Sequence, residues 1–413
     1  MKYNGQVKVI LIAVDDGSKD NFPLSLAELQ ALAQACDLQV LTTFVQNLKQ
    51  INRTTYFNSG KITELTELST ELEAEAVVAN DELSGLQLRN LTKSLQLNVI
   101  DRTGLILEIF SRRATSKEAQ LQVSIARKNY DLTHLVGQHR AIYSQQGGSG
   151  FRGGGETQLE LDRRALRKQI SGLKTELKEI VRQRQTQRKN RKHNDIKQVA
   201  LVGYTNSGKS SLLNVLVGSN PKKVLVQDML FATLQTASRI VYDYPFSYII
   251  TDTVGFIEQL PTYLVEAFKS TLEEIKEADL LLLVVDLSNP NFKRQLSVTK
   301  KILGELACQD IPVLHVYNKA DLIGEQEQYA LESPYIVISC LEQKNIDSLR
   351  QQIKQELFQL HRVKLLLPYE NYGLLAKLEA EEEVKEIFEV AEGVEVIADI
   401  KKDGMANYQN YFK

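Results

Sequence analysis

The sequence predicts an α/β protein in four parts. These are an N-terminal domain on a parallel sheet, an antiparallel helical hairpin, a P-loop domain on a doubly wound sheet, and a small C-terminal α+β module. Three observations predict this. Apolar runs alternate with amphipathic stretches through the first part, two long helical patterns flank a glycine-rich turn, and a phosphate-loop motif joins a strand to a helix in the second half. A chain of 413 residues accommodates such a set of domains, each able to bury its own core.

In the first part, strands are expected at 7–14, 38–46, 76–81 and 98–103, with helices at 23–36, 59–74 and 84–96 between them. Apolar runs separated by helices predict βα units and a parallel sheet. Nothing here marks a nucleotide site, since Gly60-Lys61 lacks the upstream glycine of a phosphate loop. A helix follows from about Glu118 to Ile142. A second carries Leu166, Ile170, Leu173, Leu177 and Ile180 at alternating steps of four and three, a heptad seam. Between them lies the turn Gly147 to Gly155, in which six of nine residues are glycine. Two such helices predict a hairpin with the glycines at its tip. The polar run 189–197 reads as a hinge. The domain ranges expected are 1–107, 108–192, 196–361 and 362–413.

Composition narrows the function. The three cysteines form no close pair, so neither disulfides nor a zinc site is suggested, and a reducing cytoplasm fits. No apolar run has the length of a membrane span, and none has the pattern of a signal peptide. The net charge of −2 conceals an asymmetry: Asp162 to Lys192 carries twelve Lys/Arg against three Asp/Glu. Leu365 to Lys413 is acidic, with five against eleven. A local basic stripe suits a polyanionic partner, although a solvated helix face has the same composition.

Gly203-Tyr204-Thr205-Asn206-Ser207-Gly208-Lys209-Ser210 fits G-x-x-x-x-G-K-[ST] and, with Ser211, leads into a helix predicted from Leu212 onward. The glycines let backbone N–H groups face phosphates, Lys209 brings charge to the β/γ-phosphates, and the Ser210 hydroxyl suits Mg²⁺. Asp252 ends the strand in "SYIITDTVGF", where a carboxylate holds the Mg²⁺ shell, and Gly255 follows where a backbone N–H meets the γ-phosphate. "HVYNKAD" places Asn318, Lys319 and Asp321 after another strand. Asp321 can accept from the N1–H and 2-amino group of guanine, and adenine would leave it unpaired. Asn318 suits the base's other edge, and the Lys319 stem can cover its face. Ser339, with Cys340 beside it, follows the next strand as a weaker fifth element. Capped turns would explain Asn318 and Asp321 separately, but not their order behind the loop. GTP/GDP and Mg²⁺ are the ligands expected.

"GYTNSGKSSLLN", "DMLFATL", "DTVGFIEQLPTYLVEAFKSTLEE", "NKADL", "DRTGLILEIFSRRA" and "FRGGGETQLELDRR" together resemble the HflX family of GTPases, over nearly the whole chain. The resemblance implies a cytoplasmic GTPase that binds the ribosome, chiefly the large subunit, and splits or rescues stalled ribosomes under stress. It implies Thr233 as the switch I threonine on Mg²⁺ and the γ-phosphate, so that Lys209, Thr233 and Gly255 are the catalytic group and Ser210, Thr233 and Asp252 the metal group. It also implies that the N-terminal domain and the hairpin bind the ribosome, with the Gly147–Gly155 tip, Arg152, Arg163, Arg164, Arg167 and Lys168 as contacts to ribosomal RNA, in a protein expected to be a monomer. The chain departs from the family where Gly153-Gly154-Gly155 replaces Gly-Pro-Gly, where "QTASR" lacks Asp-Pro-Thr, and where Ser339-Cys340-Leu341 replaces Ser-Ala-Lys. The alternative function is a guanine-nucleotide-regulated scaffold for membrane or cell-division partners.

Overall fold

The structure, a computed structural model, describes residues 6–17, 21–144, 154–193, 196–218, 231, 237–258, 264, 268, 274–324, 330–371 and 373–413. Thr233, Arg152 and the tip up to Gly153 lie outside the described residues. The chain divides into two compact units. One comprises Met1–Thr186 with Asp228–Leu234 and Gln259–Lys269, and the other the remainder.

The first unit begins with β1 (Val7–Asp15), α1 (Phe22–Ala35), β2 (Leu38–Asn47), α2 (Ser59–Glu71), β3 (Ala76–Ala79), α3 (Gly85–Leu95) and β4 (Asn98–Ile100). All strands are parallel, in the order β2-β1-β3-β4. Residues 9–14 of β1 and all of β3 are buried, as strands covered on both faces must be. Helix α3 starts in a capping box. Gln87 N donates to Ser84 Oγ (3.3 Å) and Ser84 N to Gln87 Oε1 (2.9 Å).

The strand expected at 98–103 ends at Ile100, because Asp101 opens α4 (Arg102–Arg113). Its carboxylate caps that helix by accepting from Gly104 N at 2.7 Å. The boundary expected at residue 107 therefore lies inside α4. Asp101 also accepts from Leu83 N (3.0 Å) and from Tyr130 Oη (3.0 Å) on the next helix. Burial pushes its carboxyl above the usual range, against these hydrogen bonds. The helical pair is α5 (Lys117–Ser144) and α6 (Gly154–His193). It is antiparallel, with Lys117 Nζ 2.8 Å from Glu176 and Lys128 Nζ 2.6 Å from Gln169 Oε1. Helix α6 extends through His193, so the stretch read as a hinge from 189 is helical for its first half. Phe110 of α4 meets Phe231 edge-on at 4.7 Å and Phe268 at 5.0 Å, both buried. This contact ties the two short later segments to the first unit.

The second unit holds β5 (Gln198–Val202), α7 (Lys209–Val217), β6 (Ala237–Asp243), β7 (Phe246–Asp252), β8 (Leu280–Asp286), α8 (Phe292–Glu305), β9 (Val313–Asn318), β10 (Tyr335–Val337) and α9 (Ile346–Phe358). The sheet order is β10-β9-β8-β5-β7-β6, parallel except for the edge strand β6. Leaving β5, the chain builds β6 and β7 on one side and then crosses to β8 on the other. This makes β5/β8 the topological switch point, where open α/β sheets bind ligands beyond the strand ends. The C-terminal module is a three-stranded antiparallel sheet of β11 (Leu360–Leu367), β12 (Glu383–Val390) and β13 (Gly393–Lys401), in the order β11-β13-β12. Helix α10 (Gly373–Glu381) covers it through Leu375 and Leu378. Among the described residues no helix is long and apolar enough to cross a membrane.

Candidate nucleotide site

The loop from Gly203 to Gly208 leaves β5 at the switch point and enters α7, one residue past the second glycine. Its glycines are required sterically. Gly203 has φ +151°, and a Cβ there would lie 2.2 Å from Val284 O. Gly208 has φ +93°, and its Cβ would lie 2.2 Å from Asn318 Nδ2. L-side chains fit neither conformation nor either space. Asn206 supplies a further left-handed turn at φ +62°. The loop thus curls around the N-terminus of α7, whose leading N–H groups and dipole favour an anion.

Lys209 is 6% exposed, with Nζ donating to Gly203 O (3.2 Å) and Tyr204 O (2.7 Å). The ammonium is braced over the loop. Burial pushes it down to about 8, and Asp252 partly opposes this. Thr205 Oγ1 and Ser207 Oγ are buried with no hydrogen-bond partner among the described residues, as a cradle for phosphate oxygens would have them. Ser210 Oγ donates to Asp252 Oδ2 at 2.6 Å, which puts a hydroxyl and a fully buried carboxylate side by side. Two hard oxygens so placed fit Mg²⁺.

The base corner is equally well organised. Asn318 ends β9, donates to Ser207 O (3.1 Å) and accepts from Cys340 N (3.1 Å), which joins three loops. Ser339 Oγ donates to Asp321 Oδ1 at 2.5 Å and aims that carboxylate. Lys319, at φ +64°, pairs with Asp286 Oδ2 at 2.7 Å, fixing its stem across the corner. Burial, and next the Asp321 charge, push the Cys340 thiol up to about 12, so it stays protonated. Every predicted nucleotide-site residue among the described ones falls on this one edge of the sheet. Asp286 was missed by sequence reading. It ends β8 as Asn318 ends β9, and its strand-end position was the available signal.

Sequence reading also missed a clasp beside Lys209. Phe256 forms a parallel bridge with Tyr204. Thr205 N donates to Phe256 O (2.8 Å), and Phe256 N to Gly203 O (3.1 Å). Two residues on, Glu258 N donates to Tyr204 Oη at 2.9 Å. The Glu258 carboxylate takes Arg294 of α8 bidentately, the shortest contact being 2.6 Å.

A phosphate loop on the central strand, with an Asn-Lys-x-Asp corner two strands away, places this fold among the P-loop GTPases. Residues 198–319 match the family model described as 50S ribosome-binding GTPase. Residues 24–111 match GTP-binding GTPase N-terminal, and 113–191 match GTP-binding GTPase Middle Region. The chain is 43% identical over 365 residues to GTPase HflX of Caldanaerobacter subterraneus subsp. tengcongensis, covering 88% of this chain and 84% of that one. It is 43% identical over 351 residues to GTPase HflX of Alkalihalophilus pseudofirmus, covering 84% and 82%. It therefore belongs to the HflX family and is a GTP-hydrolysing enzyme. It is also similar to the solved structure of a GTP-binding protein from Sulfolobus solfataricus in complex with GDP. That likeness has 25% identity and a TM-score of 0.46, covering 86% of this chain and 99% of that one.

Proposed function

We propose that this GTPase acts on the ribosome, that its nucleotide site is the edge of the second sheet just described, and that GTP binding and hydrolysis time its attachment and release. One observation carries the nucleotide part: Asn318 bonds Ser207 O directly, so the guanine-reading corner and the phosphate loop form one rigid piece. Asp321 and Asn318 read guanine, Lys319 covers it, Ser339 and Cys340 close the loop, and residues 203–211 hold the phosphates. Lys209 stabilises charge that develops on the β/γ oxygens, with the Gly255 N–H on the γ-phosphate. Ser210 and Asp252, with Thr233 from switch I, would hold Mg²⁺, which neutralises phosphate charge when bound.

No residue at Phe256 can orient the attacking water, because its side chain has neither donor nor acceptor and is 2% exposed. Slow hydrolysis by the isolated protein follows, with the ribosome completing the site. Binding of the large subunit is supported by the description of the family model and by the basic face of α6, and splitting or rescue of stalled ribosomes under stress is proposed on the family resemblance alone. On that face Arg164, Arg167 and Lys168 are exposed and Arg163 is half-buried. The hairpin with its Gly147–Gly155 tip and Arg152 is the element extended to ribosomal RNA, through close backbone approach and charge. Comigration with ribosomal particles only in the presence of a non-hydrolysable GTP analogue would support this reading. Single-turnover hydrolysis should accelerate when large subunits are added. A fast basal rate indifferent to them, or sedimentation indifferent to nucleotide, would overturn it.

A further inference from the structure

We infer that Tyr204, Glu258 and Arg294 are specificity-determining residues that set the preference between GTP and GDP, by clasping the Asp252–Glu258 segment onto the phosphate loop. The inference rests on the assignment of 203–211 as that loop. Gly255 packs so closely that a Cβ on it would lie 2.8 Å from Thr205 Cα, 2.9 Å from Thr205 Cγ2 and 3.0 Å from Lys209 Nζ. A γ-phosphate must fit between the Lys209 ammonium and the Gly255 N–H, with each donor about 2.8 Å from a phosphate oxygen. Gly255 packed this close to Thr205 and to the Lys209 ammonium crowds that space, so in this proposal the Asp-x-x-Gly segment withdraws when a triphosphate binds. A diphosphate makes no such demand.

Withdrawal breaks a specific set of contacts. Phe256 O leaves Thr205 N–H, and Phe256 N–H leaves Gly203 O, because hydrogen bonds tolerate little stretching. Glu258 N–H, two residues along the same segment, leaves the Tyr204 hydroxyl. The bidentate Glu258–Arg294 pair anchors that segment to α8 and resists the shift from the far side. The Phe256 bonds are backbone and indifferent to side chain, so the two side-chain contacts are where the sequence tunes the clasp. Interactions present in only one of two forms stabilise that form, and a ligand shifts the balance only by its differential affinity. The clasp therefore penalises GTP relative to GDP.

The test measures the dissociation constants of GDP and of a non-hydrolysable GTP analogue, by fluorescent-nucleotide titration, with the full chain. Tyr204→Phe keeps the ring and deletes one hydrogen bond, and it should shift the ratio about five-fold toward the GTP analogue. Arg294→Gln should shift it in the same direction, and Arg294→Lys, which keeps the charge, should restore part of the difference. In steady-state assays of Arg294→Gln the KM for GTP should fall while kcat does not. An unchanged ratio accompanied by a lower melting temperature would make the three residues structural only. A shift toward GDP would place the contacts in the GTP form. Either result overturns the proposal. If the unmodified chain bound neither nucleotide, the loop assignment itself would fail, an outcome visible before any variant is made.

Discussion

The two parallel sheets obey the same topological rule and end differently. In the first, β1 and β3 flank the switch point, and the space beyond their carboxyl ends is filled. Arg102, 3% exposed, donates to Asn80 Oδ1 (3.2 Å) and pairs with Glu28. Tyr56 accepts from Val14 N (3.0 Å) and donates to Asp81 Oδ2 (2.5 Å). In the second, the equivalent space beyond β5 and β8 is lined by glycine backbone, with Gly203 against Val284 O and Gly208 against the Asn318 side-chain amide. Strand topology positions a crevice in both. Whether it can take a ligand depends on what the following residues put there: long side chains that satisfy one another, or glycines that leave N–H groups facing outward.

The largest effect that would break this comparison is on stability. Arg102→Met strands the Glu28 carboxylate and should cost about 3–5 kcal/mol in denaturant unfolding. The double change with Glu28→Leu should recover much of that, since replacing a buried pair by apolar side chains is often neutral. Nucleotide affinity should follow neither change. In the second sheet the order reverses. Gly208→Ala forces a Cβ onto Asn318, and nucleotide affinity should fall on the order of 100-fold with the melting temperature affected less.

Next in size is the base corner. Asp321→Asn should weaken GTP roughly 30-fold and improve xanthosine triphosphate, whose 2-position oxygen accepts from an amide. Equal base preference in the variant would remove Asp321 from the site. Smaller is the pH effect. Lys209 loses its proton near pH 8 in this structure, and phosphates would raise that value. Below about pH 8 the ammonium is already charged and affinity is flat. Above it, binding takes up one proton and affinity falls by up to about ten-fold per pH unit. A profile flat to pH 9.5 would show that Lys209 is fully charged before phosphates arrive. Smallest is the hairpin. Replacing Arg163, Arg164, Arg167 and Lys168 with Gln should flatten the salt dependence of ribosome binding by up to about four counterions and leave GTP affinity unchanged. An unchanged slope would make these charges a solvated face.

Local order was legible because it rests on local physics. The β/α alternation, the phosphate loop and the Asn-Lys-x-Asp corner each depend on spacing along one segment, and their strands were placed within a few residues. Helix α6 was read short because residues 189–193 are nearly all basic or polar, and such a run has no apolar period to distinguish a helix from a linker. The Asp101 cap was misread as strand because a β-region N-cap continues the extended backbone before it.

The sequence alone thus determined the class of this protein: an α/β chain with a guanine-nucleotide loop, a basic helical pair and an acidic tail module. Those properties follow from periodicity, residue type and short-range spacing. Tertiary structure alone decided which crevice is open and which is plugged, and where the Asp252–Glu258 segment rests. Arg102 finds Glu28 across 74 residues, Glu258 finds Arg294 across 36, and Phe110 meets Phe231 and Phe268 from opposite ends of the chain's middle. No local pattern encodes such pairings. They form because the packed fold brings these groups together and a buried charge such as Arg102 must be paired there, and only the tertiary structure determines which neighbours those are.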